Sequence, residues 1–227
     1  MTNTSYIFVA GASRGVGREI ANYLTAQQLK VKALLRTEAA AADLKAIGVN
    51  AVLGDALNVK DVERAILGGN ESIHTVISTI GGLPTDEVKP DYLGNKNLID
   101  ASVKAGVKKF ILVTSIGTGN SVIAMPPQAL EVQKPVLIEK EKAEKYLMNS
   151  GLNYTIIRPG SLKSEPGTGK GMLTEDTHVI GSINRADVAQ LVYRCLNSRR
   201  ANNKVLSAVD RYMIFPGLPA FMEFYVN

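Results

Sequence analysis

Tyr6-Ile7-Phe8-Val9-Ala10-Gly11-Ala12-Ser13-Arg14-Gly15-Val16-Gly17 is an apolar run that ends in a glycine-rich turn and continues, near Arg18, as a helical pattern. A strand that stops at glycine and restarts as a helix leaves unpaired backbone N–H groups at the helix N-terminus. The macrodipole is positive there, and a pyrophosphate can be held. The glycines let the ligand approach the backbone. A glycine triplet also serves ordinary turns and helices packed closely on strands, so it is the position at the end of the first strand that makes this one a nucleotide-binding signal.

Outward from this turn, apolar strand-like runs alternate with helical patterns. Strands are expected at Tyr6–Ala10, Val31–Leu35, Ala51–Leu53, Ile73–Thr79, Phe110–Thr114, Tyr154–Ile157 and Lys204–Ala208. Helices are expected at Gly15–Gln28, Glu38–Ile47, Lys60–Leu67, Tyr92–Ala105, Pro135–Ser150 and Arg185–Asn197. The alternation predicts an α/β fold in three layers, a doubly wound parallel sheet (Rossmann fold) with the cofactor crevice at the C-terminal ends of its strands. The 227 residues, 45% hydrophobic, suit one domain over 1–213. An apolar tail, 214–227, is expected to pack on that domain or on a partner, since its phenylalanines would otherwise form an adhesive patch. Three long connections, Ile80–Pro90, Ser115–Lys134 and Pro159–Asn184, follow strands and are expected to wall a substrate pocket. Within the third, Gly167-Thr168-Gly169-Lys170-Gly171 reads as a flexible lid.

Composition narrows the function. The net charge is +5, but the lysines are scattered over several helices without interleaved aromatics, which argues for a solvated surface and against nucleic acid. The single cysteine, Cys195, excludes an internal disulfide, and its apolar neighbours make it a core residue. His74 and His178 lack metal-ligand spacing, so no metal is expected. Residues 1–5 carry no basic or apolar leader, and the tail is too short and proline-interrupted to span a membrane, so a cytoplasmic protein is expected, a monomer or weak homodimer.

The second strand ends in Leu34-Leu35-Arg36-Thr37-Glu38, about twenty residues beyond the glycine turn, where the ribose of a dinucleotide is read. An acidic residue there accepts from the 2′-hydroxyl of NAD, whereas Arg36, with Arg14 in the turn itself, makes a planar cationic clamp for the 2′-phosphate of NADPH. Glu38 either competes as an NAD-like residue or caps the next helix. Asp55, next to Ala56, either meets the adenine amino group or caps the third helix. Thr79 and Gly81, in Ser78-Thr79-Ile80-Gly81-Gly82, keep the backbone open where the middle of the cofactor passes. The expected cofactor contacts are therefore Gly11, Ser13, Arg14, Gly15, Val16, Gly17, Arg36, Asp55, Ala56, Thr79 and Gly81.

Further motifs follow in order: Gly94-Asn95-Lys96-Asn97-Leu98-Ile99-Asp100-Ala101, Gly106-Val107-Lys108-Lys109-Phe110 leading into Val113-Thr114-Ser115, Tyr154-Thr155-Ile156-Ile157-Arg158-Pro159-Gly160, and Arg185-Ala186-Asp187-Val188-Ala189. With the glycine turn they make the chain, over roughly residues 5–210, resemble the atypical short-chain dehydrogenases/reductases, the group of NmrA and biliverdin reductase B. The resemblance implies Ser115 and Lys140 as counterparts of the family's catalytic serine and lysine, and Ser115, Pro159, Gly160 and Ser161 at the nicotinamide. The family's tyrosine is missing, because Val136 stands four residues before Lys140. A literal Tyr92-x-x-x-Lys96 precedes Ser115 on the earlier helix and is set aside as a decoy.

A site without that acid suits an acceptor that stabilises negative charge itself or takes its proton from water. The resemblance to biliverdin reductase B implies such a planar acceptor, a free flavin (FMN or riboflavin) or a bilin. Where that group carries a histidine after the sixth strand, Gly160 stands here. Two alternatives remain at this point: a non-catalytic NADP(H) sensor of the NmrA kind, and a reductase of quinones or other carbonyls.

Overall fold

Alternate residues of each strand enter two different cores, and this divides the molecule into three layers. The computed structural model describes residues 5–216 and 221–226. Its elements run β1 (Ser5–Ala10), α1 (Gly15–Ala26), β2 (Val31–Leu35), α2 (Glu38–Lys45), β3 (Asn50–Leu53), α3 (Val59–Leu67), β4 (Ser72–Ser78), α4 (Pro90–Lys104), β5 (Lys109–Val113), α5 (Pro127–Met148), β6 (Tyr154–Pro159), β7 (Ser161–Lys163), β8 (Gly171–Thr174), β9 (Ser182–Asn184), α6 (Arg185–Leu196) and β10 (Lys204–Asp210). Ile7 and Val9 of β1 join Ile20 and Leu24 of α1, Leu44 of α2 and Val188 of α6 in one core. Phe8 and Ala10 join Val62 of α3, Leu98 of α4 and Leu147 of α5 in the other. β5 divides the same way, Ile111 to the first and Phe110 and Leu112 to the second. Full burial stabilises by roughly 1.5–3 kcal/mol for each large apolar side chain.

The main sheet has the order β3-β2-β1-β4-β5-β6-β10-β8. All its pairings are parallel except that of β8, which runs antiparallel to β10. Chain order reverses between β1 and β4, so the crevice opens above the ends of those two strands. This is the doubly wound architecture expected from the alternation.

Three local expectations are corrected. α5 begins at Pro127 and carries Pro135 in its interior. Residues 131–135 face solvent, so the Glu131 carbonyl that loses its intrahelical partner can be hydrated and the proline is tolerated. The connection Ser115–Lys134 is therefore mostly a 3-10 turn, Gly119–Ala124, and the first turns of α5. The connection after β6 holds β7, β8 and β9. Its Gly167–Gly171 stretch is tied down, because the buried carboxylate of Asp187 accepts from Thr168 N at 2.9 Å and from Gly169 N at 2.8 Å.

Of the apolar tail, residues 217–220 and 227 lie outside the described residues. Phe224 N donates to Leu173 O at 2.7 Å and Thr174 Oγ1 to Met222 O at 2.7 Å, which lays 221–226 along β8. Cys195 is a buried free thiol, and burial pushes its pKa up to about 11. Lys109, also buried, donates from Nζ to Cys195 O at 2.6 Å and Ser198 O at 2.9 Å, satisfying carbonyls at the end of α6.

His74, on β4, is half-buried with Nδ1 2.7 Å from Thr75 Oγ1, and burial lowers its pKa below 6.5. The folded state thus favours the neutral ring. Its contribution to stability is complete above pH 6.5 and is lost as pH falls toward the depressed folded value. In thermal unfolding between pH 7.5 and 5, His74→Gln should lose less stability on acidification than the unsubstituted protein.

Candidate functional site

The cleft is built on a steric constraint at the first turn. A Cβ on Gly17 would lie 2.2 Å from Gly11 O, and one on Gly11, whose φ is +86°, would lie 2.5 Å from Thr79 Oγ1. Gly11 and Gly17 therefore let α1 pack against the end of β1. Gly15 is different, since a Cβ there would meet only Arg185 Nε, at 3.8 Å. Open space thus remains above the start of α1. The residue before α1, Arg14, makes no side-chain cap, and no acidic residue occupies the first turn, so the first N–H groups are left for an anion. An uncapped helix start beside bare glycine backbone fits a dinucleotide pyrophosphate.

From this turn a cleft of about 730 Å³ extends both ways along the strand ends. Gly11, Ser13, Arg14, Gly15, Val16, Arg36, Asp55, Ala56, Thr79, Gly81 and Lys140 all line it. Gly17 lies behind the turn, in the helix–strand contact. Ser115, Pro159, Gly160 and Ser161 are not among the lining residues. Ile116 N donates to Pro159 O at 2.8 Å, which joins the two segments outside the cleft, and Gly160 is packed against Gly181, whose carbonyl would be 2.3 Å from an added Cβ.

Arg14, in the turn, and Arg36, after β2, are exposed, and neither has an acidic partner among the described residues. Glu38 lies in the first turn of α2, which is capped by Thr37 accepting from Ala40 N at 3.3 Å, and does not line the cleft. Asp55 does not cap α3 either; Asn58 does. Asp55 Oδ1 instead accepts from Leu57 N at 2.9 Å, forming a turn on the cleft wall. Its own N–H donates to Asp61 Oδ2 at 3.0 Å, and this bond is the main cause that lowers the Asp61 pKa.

The end of the cleft away from Arg36 holds charges in matched pairs. Lys140 Nζ lies 2.7 Å from Oδ1 of Asp91, a fully buried carboxylate whose Oδ2 accepts from Gly82 N at 2.8 Å. The pair sits over Gly81, where a Cβ would be 2.9 Å from both Lys140 Nζ and Asp91 Oδ1. Deeper, Arg158 of β6 clamps Glu144 of α5 with Nε to Oε1 at 3.0 Å and Nη2 to Oε2 at 2.6 Å. Thr114, a lining residue, donates to Glu144 Oε1 at 2.7 Å. Leu83, Val88 and Leu162 form an exposed apolar rim.

Tyr92 and Lys96 stand outside the cleft, as does Tyr146. The Tyr92 and Tyr146 rings meet edge to face, Tyr146 donates to Asp100 at 2.6 Å, and Lys96 pairs with Asp100 at 2.7 Å. The hydrogen bond to Asp100 is the main cause that raises the Tyr146 pKa. Sequence reasoning did not single out Asp91, Thr114 or Arg185 as site residues. Arg185 opens α6 beside Gly15, a place that the following Ala186-Asp187-Val188 pattern marks only as a helix start.

Residues 11–199 match the model of the NAD(P)H-binding family. The chain belongs to that family. Among solved structures, this NAD(P)H-binding protein is similar to ChuY, an anaerobillin reductase from Escherichia coli O157:H7. The two are 33% identical with a TM-score of 0.82, over 95% of this chain and 100% of that one. It is 31% identical to YhfK of Bacillus subtilis (strain 168), described as an uncharacterized sugar epimerase, over 90% of this chain and 94% of that one. It is also 38% identical over 121 residues to sanguinarine reductase of Eschscholzia californica, covering 50% of this chain and 42% of that one. The fold is that of the atypical short-chain dehydrogenases/reductases, and the cofactor is a nicotinamide dinucleotide.

The glycine contact gives a direct test. Gly17→Ala puts a methyl into the Gly11 carbonyl, a backbone atom that cannot swing away. It should destabilise the protein by about 1–3 kcal/mol in denaturant titration and abolish dinucleotide binding, whereas Gly48→Ala, strained by a φ of +89° but meeting nothing within 4 Å, should also lose stability yet retain binding.

Proposed function

We propose that this protein is an NADPH-dependent reductase that delivers a hydride to a planar conjugated acceptor, a free flavin or a bilin. NADPH supplies the hydride when bound, and the chain's residues hold and orient the two partners. The far end of the cleft carries this reading. The Lys140 charge is matched by Asp91, the Thr114 proton is committed to Glu144, and no tyrosine lines the cleft among the described residues. A simple ketone needs a proton at its nascent alkoxide, and this surface offers no phenol to give it. A flavin or bilin spreads the incoming charge over its own conjugated system and takes its proton from water. The rim of Leu83, Val88 and Leu162 suits the face of such a ring.

Similarity to reductases of anaerobillin and of sanguinarine supports a reductase. An epimerase, the description attached to YhfK, has to return what it removes to the opposite face of one carbon, and the same lack of a phenol argues against it. The choice of NADPH rests on the exposed guanidinium groups of Arg36 and Arg14, which have no acidic partner among the described residues, and on Glu38 lying out of the cleft. We place Ser115 as an outlying support for the nicotinamide loop and Lys140 as a charge held in place over Gly81. A cytoplasmic setting accords with the buried, unpaired Cys195.

Steady-state NADPH oxidation with FMN, riboflavin and biliverdin tests the reading. Turnover on at least one of them is expected; tight NADPH binding with no turnover on any would favour a non-catalytic redox sensor. Arg36→Ala should weaken NADPH binding about tenfold or more while leaving NADH binding unchanged. Equal losses for both cofactors would refute the phosphate clamp.

A further inference from the structure

We propose that Thr114 is a dedicated hydrogen-bond acceptor in the cleft, its polarity fixed by the buried Glu144–Arg158 pair, and that it reads an N–H donor at the nicotinamide end. A threonine hydroxyl has one proton and two lone pairs. That proton is directed to Glu144 Oε1 at 2.7 Å. Glu144 cannot reverse the bond, because its two oxygens already accept from Arg158 Nε and Nη2, at 3.0 and 2.6 Å, and a carboxylate clamped in this way only accepts. Arg158 is fixed in turn, with Nη1 donating to Asn120 Oδ1 at 2.6 Å. Glu144 and Arg158 are 1% and 4% exposed, so water does not compete for these bonds. The Thr114 hydroxyl therefore has no proton left for a ligand in the cleft and can offer it only lone pairs.

Such a pair needs a reason to exist. A buried ion pair costs desolvation that its attraction barely recovers, and apolar residues of similar volume often stabilise as well or better. Fixing the sense of a hydrogen bond at a cleft wall is a use that an apolar replacement could not serve. β5 lies beyond β4, away from the β2–β3 side where Arg36 and Asp55 stand, so Thr114 faces the half of the cleft left to the nicotinamide and the acceptor. Two N–H donors come there: the carboxamide of the nicotinamide and a ring N–H of the acceptor. The inference needs dinucleotide binding in this cleft but is independent of which acceptor is reduced.

The carboxamide arm is read by equilibrium binding. The 3-acetylpyridine analogue of NADP has a methyl group in place of the amide NH2, so it presents a carbonyl without N–H. The unsubstituted protein should bind NADP about tenfold more tightly than the analogue, the loss of one hydrogen bond to a buried acceptor. Thr114→Val should erase that preference by weakening NADP and leaving the analogue unchanged, and Thr114→Ser should keep it. If instead Thr114→Val leaves both dissociation constants unchanged but raises KM for biliverdin or flavin, with Thr114→Ser again like the unsubstituted protein, the donor is the acceptor's N–H. Equal affinity for NADP and the analogue in the unsubstituted protein, together with unchanged acceptor KM in Thr114→Val, overturns the proposal. The analogue measurement needs no variant, so equal affinity excludes the carboxamide arm even if Thr114→Val folds poorly, and Thr114→Ala then takes its place in the acceptor KM measurement.

Discussion

The α1 backbone at Gly17 lies against the carbonyl of Gly11, and most of the site depends on this contact. With Cα against a carbonyl oxygen there is no room for any side chain. Thr79 closes the third side, its hydroxyl 3.2 Å from Ala10 O and 3.3 Å from Gly11 O. β1, β4 and α1 are thereby locked at the place where strand order reverses. A crevice between diverging connections follows from the topology, but its floor is defined to a fraction of an ångström only because three backbones meet there.

Charge is distributed unevenly along this floor, and the unevenness gives it a direction. Arg14 at the turn and Arg36 toward the β2 side are exposed and unpaired among the described residues, where phosphate oxygens can take up their donors. At the other end two cations are matched by carboxylates: Lys140, 15% exposed, by Asp91, 0% exposed, and Arg158 by Glu144, both buried. For a dinucleotide with a phosphate on its adenosine ribose, the reversed placement would leave the pyrophosphate at the turn but bring that phosphate to neutralised groups and the nicotinamide to bare guanidinium groups. The right orientation is favoured before any specific contact with the nicotinamide forms.

Much of this was legible in the chain, and what was not has identifiable causes. The strand–glycine–helix succession gave the sheet and the place of the crevice because parallel strands buried on both faces read as continuous apolar runs. Arg36 was readable because its position after the second strand is set by topology. Pro135 misled because proline is a good first helical residue, and nothing local reveals that the helix continues upstream on a solvent-exposed face. β8 was hidden because Gly171–Thr174 is short and pairs with β10, which is thirty residues distant in sequence and runs the other way. The line between Ser115 and Thr114 was the hardest to draw. Both are small hydroxyl residues at a strand end, and which one meets the cleft depends on Glu144, brought in from another helix.

The loops that wall the cleft bear on how specificity is achieved. The Gly- and Lys-rich connection after β6 suggests a lid, yet it and the connection after β4 are held by carboxylates that accept from their backbones. Asp86 holds Leu83 N at 2.7 Å, Asp91 holds Gly82 N at 2.8 Å, and Asp187 holds Thr168 N and Gly169 N. Asp91 does this while paired with Lys140, so the loop that carries Leu83 and Val88 of the apolar rim and the cation over Gly81 are fixed by one side chain. A rim anchored in this way keeps its width without a ligand, and the entropy of ordering it is lost at folding and not at binding. Selection among acceptors then falls to fit against a standing wall. A flat, rigid acceptor loses little on entering such a slot, whereas a flexible carbonyl chain would have to be frozen there with no proton donor waiting for it.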